Sequence, residues 1–379
     1  MSVTLRARRV LTGEGLLSPG FVTMDGALLT AVTPEPPARG GWTDLGDHDL
    51  LPGLVDLHAD GWQARERPRP TARFGWDETL AALDTEAVSW GITTQFLCVT
   101  VQDDTGRDRT LAQAERTVDA VTGASGLRAD HRVHLRVEVT GERLDVVAAL
   151  AAREGVGLLS AMDHTPGQGQ FRHEADWRAH YAATGEPDLD ALLARRRARQ
   201  PFTADVRAAL ARIAREHGLP LASHDDDSPE RVEQARQLGA RIAEFPVTAQ
   251  AAEAAAASGL LTVMGAPNAV RGTSHVAGNL SARATLTAGH LGALASDYHA
   301  PSLLGAVYAL AAAGVCDLPT AVALATRAPA GAAGLTDRGV LAPGARADLV
   351  AVGHRVAGRP TVAQTWVGGV PAFAAWHPA

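Results

Sequence analysis

The strongest chemical signal in the sequence is a histidine and an aspartate that end an apolar run. The run covers residues 50–60, and its last three residues are His58, Ala59 and Asp60. In a β-strand, residues two apart point to the same side, so the imidazole of His58 and the carboxylate of Asp60 are predicted to emerge together. Such a pair suits a divalent ion such as zinc or manganese. On its own, the pair is more simply explained as an exposed histidine beside an exposed aspartate.

Four more acidic or histidine residues end other short apolar runs, and together with the first pair they make six candidate metal ligands: His58, Asp60, Glu138, His164, His224 and Asp297. An isolated histidine or aspartate is more often a hydrogen-bonded structural residue than a ligand. Six at equivalent positions favour a metal site, and three imidazoles with three carboxylates are enough for two ions that share a bridging acid. The expected cofactor is therefore one or two divalent metal ions, with zinc as the first choice and manganese or magnesium as alternatives.

The elements that would position these residues alternate between strand and helix. Eight apolar runs are predicted as strands: 53–60, 93–101, 131–140, 156–163, 219–223, 241–245, 260–265 and 291–296. Eight such units predict an α/β fold, a (β/α)8 TIM-type barrel, which places its chemistry at the C-terminal ends of the strands. The alternative is an open doubly wound sheet, but no glycine-rich dinucleotide fingerprint follows the first strand.

Both ends of the chain have short strand-like runs with turn residues between them. Residues 1–50 and 340–379 are therefore predicted to form one small β-sandwich domain, and residues 51–339 the barrel.

Composition narrows the class of protein. With 379 residues, 46% of them hydrophobic, the chain can bury a large core. A net charge of −7 argues against a general nucleic-acid binder but allows a local arginine cluster. Two cysteines without metal-type spacing are too few for a disulfide framework. The sequence shows neither a charged-then-apolar leader nor a long apolar run, so a cytoplasmic protein without a membrane partner is expected.

Several segments resemble a known family. The His58–Asp60 pair, the later strand-end residues and the run at 339–350 are similar to the metal-dependent amidohydrolase superfamily, which implies a (β/α)8 barrel with a β-sandwich built from both termini. Further segments resemble the triphosphate diphosphatases of the carbon-phosphorus lyase pathway: 162–168, 223–226, 244–246, 265–268, 271–275 with 278–279, and 296–298. The resemblance implies a hydrolase that releases diphosphate from a ribose 5-triphosphate, with a phosphorylated small molecule as its partner.

Catalytic and substrate-binding residues follow from position and from this resemblance. Asp297 is the expected general base, and His224 is the other expected catalytic residue. Arg271 and His275 lie in a glycine-punctuated loop after the seventh strand, where barrels often bind phosphate, and an arginine fork suits phosphate oxygens. The other expected substrate-binding residues are Asn268 and Asp225, within the similar segments, and Arg65 and Arg69, just past the metal pair.

Two departures from the family pattern matter. Superfamily members commonly carry their third and fourth ligands on the fifth and sixth strands, whereas the count along this chain puts His164 and His224 on the fourth and fifth. Many relatives bridge two metals with a carboxylated lysine, but every one of the 35 basic residues here is arginine. Glu138 is therefore the expected bridging acid. The arginine-rich run at 195–199, inside an insertion, could contact a polyanion, but a solvated helix face is the simpler interpretation.

Two other functions remain open at this point. The superfamily resemblance also implies hydrolysis of a cyclic amide or of an N-acetyl sugar, and a catalytically silent relative could keep the barrel as a scaffold. The six competent ligand positions favour an enzyme. The sequence leaves the oligomeric state undecided, with a homo-oligomer as one option.

Overall fold

The computed structural model describes residues 2–38, 40–69, 71–102, 110–274 and 278–375, and the backbone alone at 355 and 356. Its strands are, in chain order, β1 (Ser2–Ala7), β2 (Arg9–Leu11), β3 (Leu16–Leu17), β4 (Gly20–Asp25), β5 (Leu28–Thr33), β6 (Thr43–Asp44), β7 (Asp49–Pro52), β8 (Leu54–Ala59), β9 (Ile92–Val101), β10 (Asp130–Glu138), β11 (Val156–Met162), β12 (Leu221–His224), β13 (Ile242–Glu244), β14 (Leu261–Gly265), β15 (Ala293–Ala295), β16 (Leu349–Val356), β17 (Arg359–Val367) and β18 (Val370–Ala374). Its α-helices are α1 (Gln63–Glu66), α2 (Trp76–Ser89), α3 (Leu111–Gly123), α4 (Leu144–Ala151), α5 (Glu174–Ala183), α6 (Leu189–Arg199), α7 (Thr203–Glu216), α8 (Pro229–Gln237), α9 (Ala249–Ala257), α10 (Ala266–Arg271), α11 (Ala282–Thr287), α12 (Pro301–Ala312), α13 (Leu318–Ala323) and α14 (Arg327–Ala332).

Strands β8 to β15 form one parallel sheet in which sequence neighbours are spatial neighbours. The first and last strands meet through a parallel bridge between Ala59 and Asp297, so the sheet curls into a barrel that is nearly closed. All eight predicted strands are present, and the (β/α)8 prediction is confirmed. The strand count is also confirmed, since His164 follows the fourth barrel strand and His224 ends the fifth.

The barrel forms because its strands are apolar and rich in β-branched residues. All ten residues of β9 are buried, as expected for a strand that is covered on both faces. Side chains such as Leu57, Phe96 and Ile242 fill the interior, while a larger apolar cluster packs the surrounding helices onto the outside. Gly53, just before β8, approaches its neighbour so closely that a Cβ there would lie 2.1 Å from Thr93 Oγ1.

Strands from both ends of the chain form two further sheets. One has the order β5-β4-β1-β6, and the other has the order β18-β17-β16-β7-β2-β3. In the second sheet, β16 near the C-terminus pairs with β7 near the N-terminus, so the two ends of the chain are joined by backbone hydrogen bonds. The division into domains at residues 50 and 340 stays a prediction. Of the helices in the described part of the chain, none is long and apolar enough to cross a membrane.

The insertion between β11 and β12 folds into the helices α5 and α6, which pack around a small core of Trp177, Tyr181 and Leu192. Trp177 Nε1 donates to the carbonyl oxygen of His164 at 2.9 Å, so the insertion contacts a candidate ligand directly. The solvated-face prediction for the arginine run is wrong at Arg196. That side chain is only 4% exposed and reaches the carboxylate of Glu138.

Candidate metal and substrate site

Barrel closure brings three candidate ligands together. The amide of Asp60 donates to the carbonyl of Asp297 at 2.7 Å, and the amide of Asp297 donates to the carbonyl of His58 at 2.8 Å. These backbone bonds fix all three residues at the mouth of the barrel, between its first and last strands. The ends of the other parallel strands point to the same mouth.

Two groups of metal-type donors share one histidine at this mouth. The groups are His58, His224 and Glu244, and His164, His224 and Asp225, and within each group one potential ligand atom per residue lies within 4.8 Å of the others. Oε1 of Glu244 contacts Nδ1 of His58 at 2.9 Å, whereas Oε2 is buried without a hydrogen-bond partner and lies 3.6 Å from His134 Nε2. A buried carboxylate oxygen without a partner beside imidazoles is a donor set that a divalent ion would satisfy. The residues present therefore fit a metal ion.

Three residues that follow strand ends have left-handed backbones. They are Asp225 with φ of 56°, Phe245 with φ of 52° and Asp297 with φ of 57°. Such conformations cost about 1–3 kcal/mol each for residues other than glycine and tend to cluster at functional sites. The ring of Phe245 lies 4.8 Å from that of His58 and 5.4 Å from that of His224, so it forms an apolar wall beside the two imidazoles.

Arg136 is a site residue that the sequence did not indicate. It lies on β10, and its guanidinium donates from Nη1 to Asp60 Oδ2 at 2.7 Å and from Nη2 to His224 Nε2 at 3.2 Å. Its side chain is only 7% exposed, and although burial opposes the charge, Asp60 and the other nearby acidic groups raise the pKa of Arg136. A permanent positive charge therefore lies inside the candidate metal site.

Glu138 lies to one side of both groups. Its Oε2 atom accepts from Arg196 Nη1 at 3.1 Å and lies 2.9 Å from Nδ1 of His164, and Thr140 donates to its Oε1 atom at 3.1 Å. Burial alone would raise its pKa, but Arg196, His164 and Thr140 outweigh that effect and lower the pKa of Glu138 to about 2. The carboxylate is thus engaged by Arg196, His164 and Thr140, it lines a second cavity, and it belongs to neither donor group of the described residues. Its role as a metal ligand and bridging acid stays a prediction.

The charge states of the site follow from burial and from neighbouring charges. Burial, reinforced by the negative charge of Asp60, raises the pKa of Asp297 to about 7. Burial also lowers the pKa values of His58 and His164, so both imidazoles are neutral and can act as ligands near neutral pH. At His224 burial opposes protonation, but the carboxylate of Asp225, 3.0 Å from Nδ1, raises the pKa.

A cavity of about 300 Å³ opens over this cluster. Its described lining includes His58, Asp60, His164, His224, Asp225 and Asp297, together with Asn268. The amide of Asn268 is engaged in holding its own loop, since it donates to Leu280 O at 2.7 Å and accepts from the amide of Ala282 at 2.9 Å. Phe171 and His180, from the insertion, also line this cavity.

The predicted phosphate-binding arginines are not part of the described lining. Arg65 is paired with Glu86, with Nη2 2.6 Å from Oε1, and it lines a small separate pocket beside Asp297. Arg69 is exposed on a short turn, and Arg271 is exposed at the end of α10. His275 lies outside the described residues. These four substrate-binding assignments stay predictions.

A third group of donors lies deeper in the barrel and is structural. His58, Cys98 and His134 approach one another within 4.8 Å. Both nitrogens of His134 are already engaged, by Leu57 O at 3.0 Å and by Ser160 Oγ at 2.9 Å. Burial lowers the pKa of His134 to about 3 and raises that of Cys98 well above its usual range, which keeps both side chains neutral.

Two signals in the sequence could have identified the residues that were missed. Glu244 ends the sixth barrel strand, so the rule that selected the other strand-end ligands also applies to it. Arg136 lies two residues before Glu138 and therefore on the same face of β10. An arginine at such a position indicates a buried ion pair, because a lone guanidinium is not stable inside a barrel.

Similarity to a known protein identifies the family of this chain. No family model matches the chain. The chain is 38% identical over 350 residues to the alpha-D-ribose 1-methylphosphonate 5-triphosphate diphosphatase of Escherichia coli strain K12. This match covers 88% of this chain and 89% of that protein. A short stretch of 61 residues is 46% identical to an allantoinase of Streptomyces avermitilis, over 15% of this chain and 14% of that protein.

Solved structures share the fold. The N-acetyl-D-glucosamine-6-phosphate deacetylase of Mycobacterium smegmatis superposes with a TM-score of 0.67 at 19% identity, over 97% of this chain and 99% of the other. The dihydropyrimidinase of Brevibacillus agri NCHU1002 superposes with a TM-score of 0.59 at 13% identity, over 98% and 95% of the two chains. At these identities the likeness extends to the fold alone.

Proposed function

The chain belongs to the family of the alpha-D-ribose 1-methylphosphonate 5-triphosphate diphosphatase, a hydrolase family with the amidohydrolase fold, and on that premise we propose that it hydrolyses a ribose 5-triphosphate and releases diphosphate in phosphonate catabolism. The observation that carries the proposal is the shared metal-type cluster around His224, open to the cavity, in a chain similar to that diphosphatase over nearly its whole length. Amide hydrolysis has weaker support, because the deacetylase and the dihydropyrimidinase resemble this chain in fold alone.

The proposed cofactor is a divalent metal ion, with zinc as the first choice. The residues proposed to hold it are the members of the two groups, His58, His164, His224, Asp225 and Glu244, with Asp297 alongside. When bound, a divalent ion lowers the pKa of water toward neutrality and withdraws charge from a phosphoryl oxygen. Imidazole and carboxylate donors in tetrahedral or five-coordinate sites are typical of zinc.

The proposed role of Asp297 is to take the proton of the attacking water. A general base works best when its pKa lies near the working pH, and burial raises the pKa of this carboxyl to about 7. Asp297 is held by backbone bonds to two other mouth residues, so its position is fixed before substrate arrives. Attack at the phosphorus nearest the sugar would expel diphosphate.

The leaving diphosphate needs positive charge and hydrogen-bond donors, because a triphosphate carries a charge of about −4. Arg136 supplies a fixed positive charge at the cavity floor, and Tyr298, 47% exposed beside Asp297, lies at the rim. Arg271 is the proposed additional donor, since it ends α10 next to the loop that lines the cavity. Phe171 and His180, whose rings lie 5.1 Å apart, are positioned to contact the sugar end of the substrate.

A substrate panel tests the reaction class. The purified protein, loaded in turn with zinc, manganese or magnesium, is assayed with ribose 5-triphosphate derivatives, dihydroorotate, hydantoins and N-acetyl amino sugars. Diphosphate release from the triphosphates supports the proposal, and ring opening or acetate release alone overturns it. The variants His164→Ala and His224→Ala are expected to lose metal, and full metal content in both would remove the proposed metal site.

A further inference from the structure

We infer, on the premise that the proposed metal site exists, that Arg136 is a built-in cation which occupies the Asp60 side of the site, so that the chain holds one metal ion instead of two. The guanidinium contacts Asp60 Oδ2 at 2.7 Å and His224 Nε2 at 3.2 Å. An ion bound between Asp60 Oδ2 and His224 Nε2 would compete with the guanidinium for the same carboxylate oxygen and the same lone pair.

The charge and burial of Arg136 favour the guanidinium over a metal ion at this position. An arginine side chain is not deprotonated in a protein, so its charge cannot be removed when a metal ion approaches. Its side chain is only 7% exposed, which leaves little water to screen its repulsion of a divalent cation. Asp60 forms no part of either three-residue donor group among the described residues, in keeping with its pairing to Arg136.

A second argument for a single ion concerns the acid that would have to bridge two metal ions. Two ions close together are usually held by an acid that bridges them, and this chain has no lysine that could be carboxylated. Glu138, the acid best placed in the sequence, is engaged by Arg196 at 3.1 Å and by His164 at 2.9 Å. His224 is the residue that the two groups share, and because its Nε2 atom accepts from Arg136, only its Nδ1 atom is left, for the one proposed ion.

Metal counting tests the inference independently of activity. The whole chain is stripped of metal, titrated with manganese or zinc, separated from free ions and analysed for metal per chain, in the wild type and in Arg136→Met. About one ion per chain is expected in the wild type, in which the arginine keeps its charge. Arg136→Met removes the charge but keeps most of the stem, and a second ion is expected to bind to it, with Asp60 as a ligand.

A matched control is Arg338→Met, because Arg338 is 6% exposed and paired with Asp130 at 2.7 Å, at the start of β10 and away from the mouth. Its metal count should equal that of the wild type. Two tightly bound ions per chain in the wild type would overturn the inference and leave the hydrolase proposal intact, and this count does not depend on any variant folding. Binding of no metal at all would instead remove the proposed function. An Arg136→Met protein that binds only one ion would also contradict the role of Arg136.

Discussion

Replacing Glu138 with glutamine tests whether this carboxylate orients His164 and anchors the insertion. Glutamine keeps the size of the side chain but removes the charge that faces Arg196, itself 4% exposed. The pKa of Glu138 is lowered from 4.5 to about 2, and one pKa unit corresponds to about 1.4 kcal/mol, so the ionised carboxylate contributes about 3 kcal/mol to stability at neutral pH. We expect Glu138→Gln to lose about that amount.

The contribution of Glu138 to the free energy of unfolding decreases as the pH falls. Because the folded pKa lies below the unfolded one, the contribution is fully present above about pH 4.5 and is lost as the pH falls toward 2. Urea unfolding of the metal-free protein should therefore show a wild-type advantage of about 3 kcal/mol at pH 7 that shrinks below pH 4.5. Glu142→Gln is the matched control, because Glu142 also faces an arginine, Arg199 at 3.5 Å, but is 68% exposed. This variant should change the free energy of unfolding by less than about 0.5 kcal/mol.

Metal affinity gives a second measurement on the same variant. Loss of a carboxylate that holds the far nitrogen of a ligating histidine typically costs about 10–100-fold in metal affinity. Glu138→Gln is therefore expected to bind zinc more weakly but still to bind it. If the variant keeps wild-type stability at pH 7 and wild-type metal affinity, Glu138 neither anchors the insertion nor positions His164.

Three further predictions concern catalysis, substrate and stability. Asp297→Asn should retain its metal and lose about 10²–10⁴-fold in kcat, measured by diphosphate release, and a near wild-type rate would exclude Asp297 as the base. Arg271→Ala should raise KM for a triphosphate without changing metal content, whereas Arg241→Ala, an exposed arginine at the start of β13 away from the mouth, should leave both unchanged. Burial alone would raise the pKa of Asp84, but hydrogen bonds with His131 and Arg128 outweigh that effect and lower the pKa to about 2. Asp84→Asn should therefore lower the free energy of unfolding by about 2 kcal/mol at pH 7 and by progressively less below pH 4, as measured by urea unfolding at several pH values.

The fold was predictable because it depends on a pattern that the sequence shows directly. Eight apolar runs with β-branched residues give eight parallel strands, and parallel strands place their C-terminal ends at one mouth. That geometry alone brings His58, Asp60, His224 and Asp297 to one cavity. Even the unusual placement of His164 after the fourth strand was correct from a literal count.

The partners of individual charged residues were not predictable, because they depend on tertiary contacts. The strand-end rule places Glu138 at the mouth, but it does not reveal Arg196, which reaches it from 58 residues further along the chain. Arg65 likewise pairs with Glu86 on α2 instead of facing the cavity. The position of Arg136, two residues before Glu138, indicates a buried ion pair, but the partners Asp60 and His224 follow only from the tertiary structure.

Oxygen from solvent, followed during turnover, tests directly where water attacks the triphosphate. A ribose 5-triphosphate is hydrolysed in ¹⁸O-labelled water by the metal-loaded wild type, and the products are analysed by ³¹P NMR and mass spectrometry. Attack at the phosphorus nearest the sugar, at a mouth built from His164, His224 and Asp297, predicts that the label enters the sugar phosphate and that the diphosphate is unlabelled. Label in the diphosphate, or no turnover of any triphosphate while a cyclic amide or N-acetyl sugar is hydrolysed, would contradict the proposed reaction.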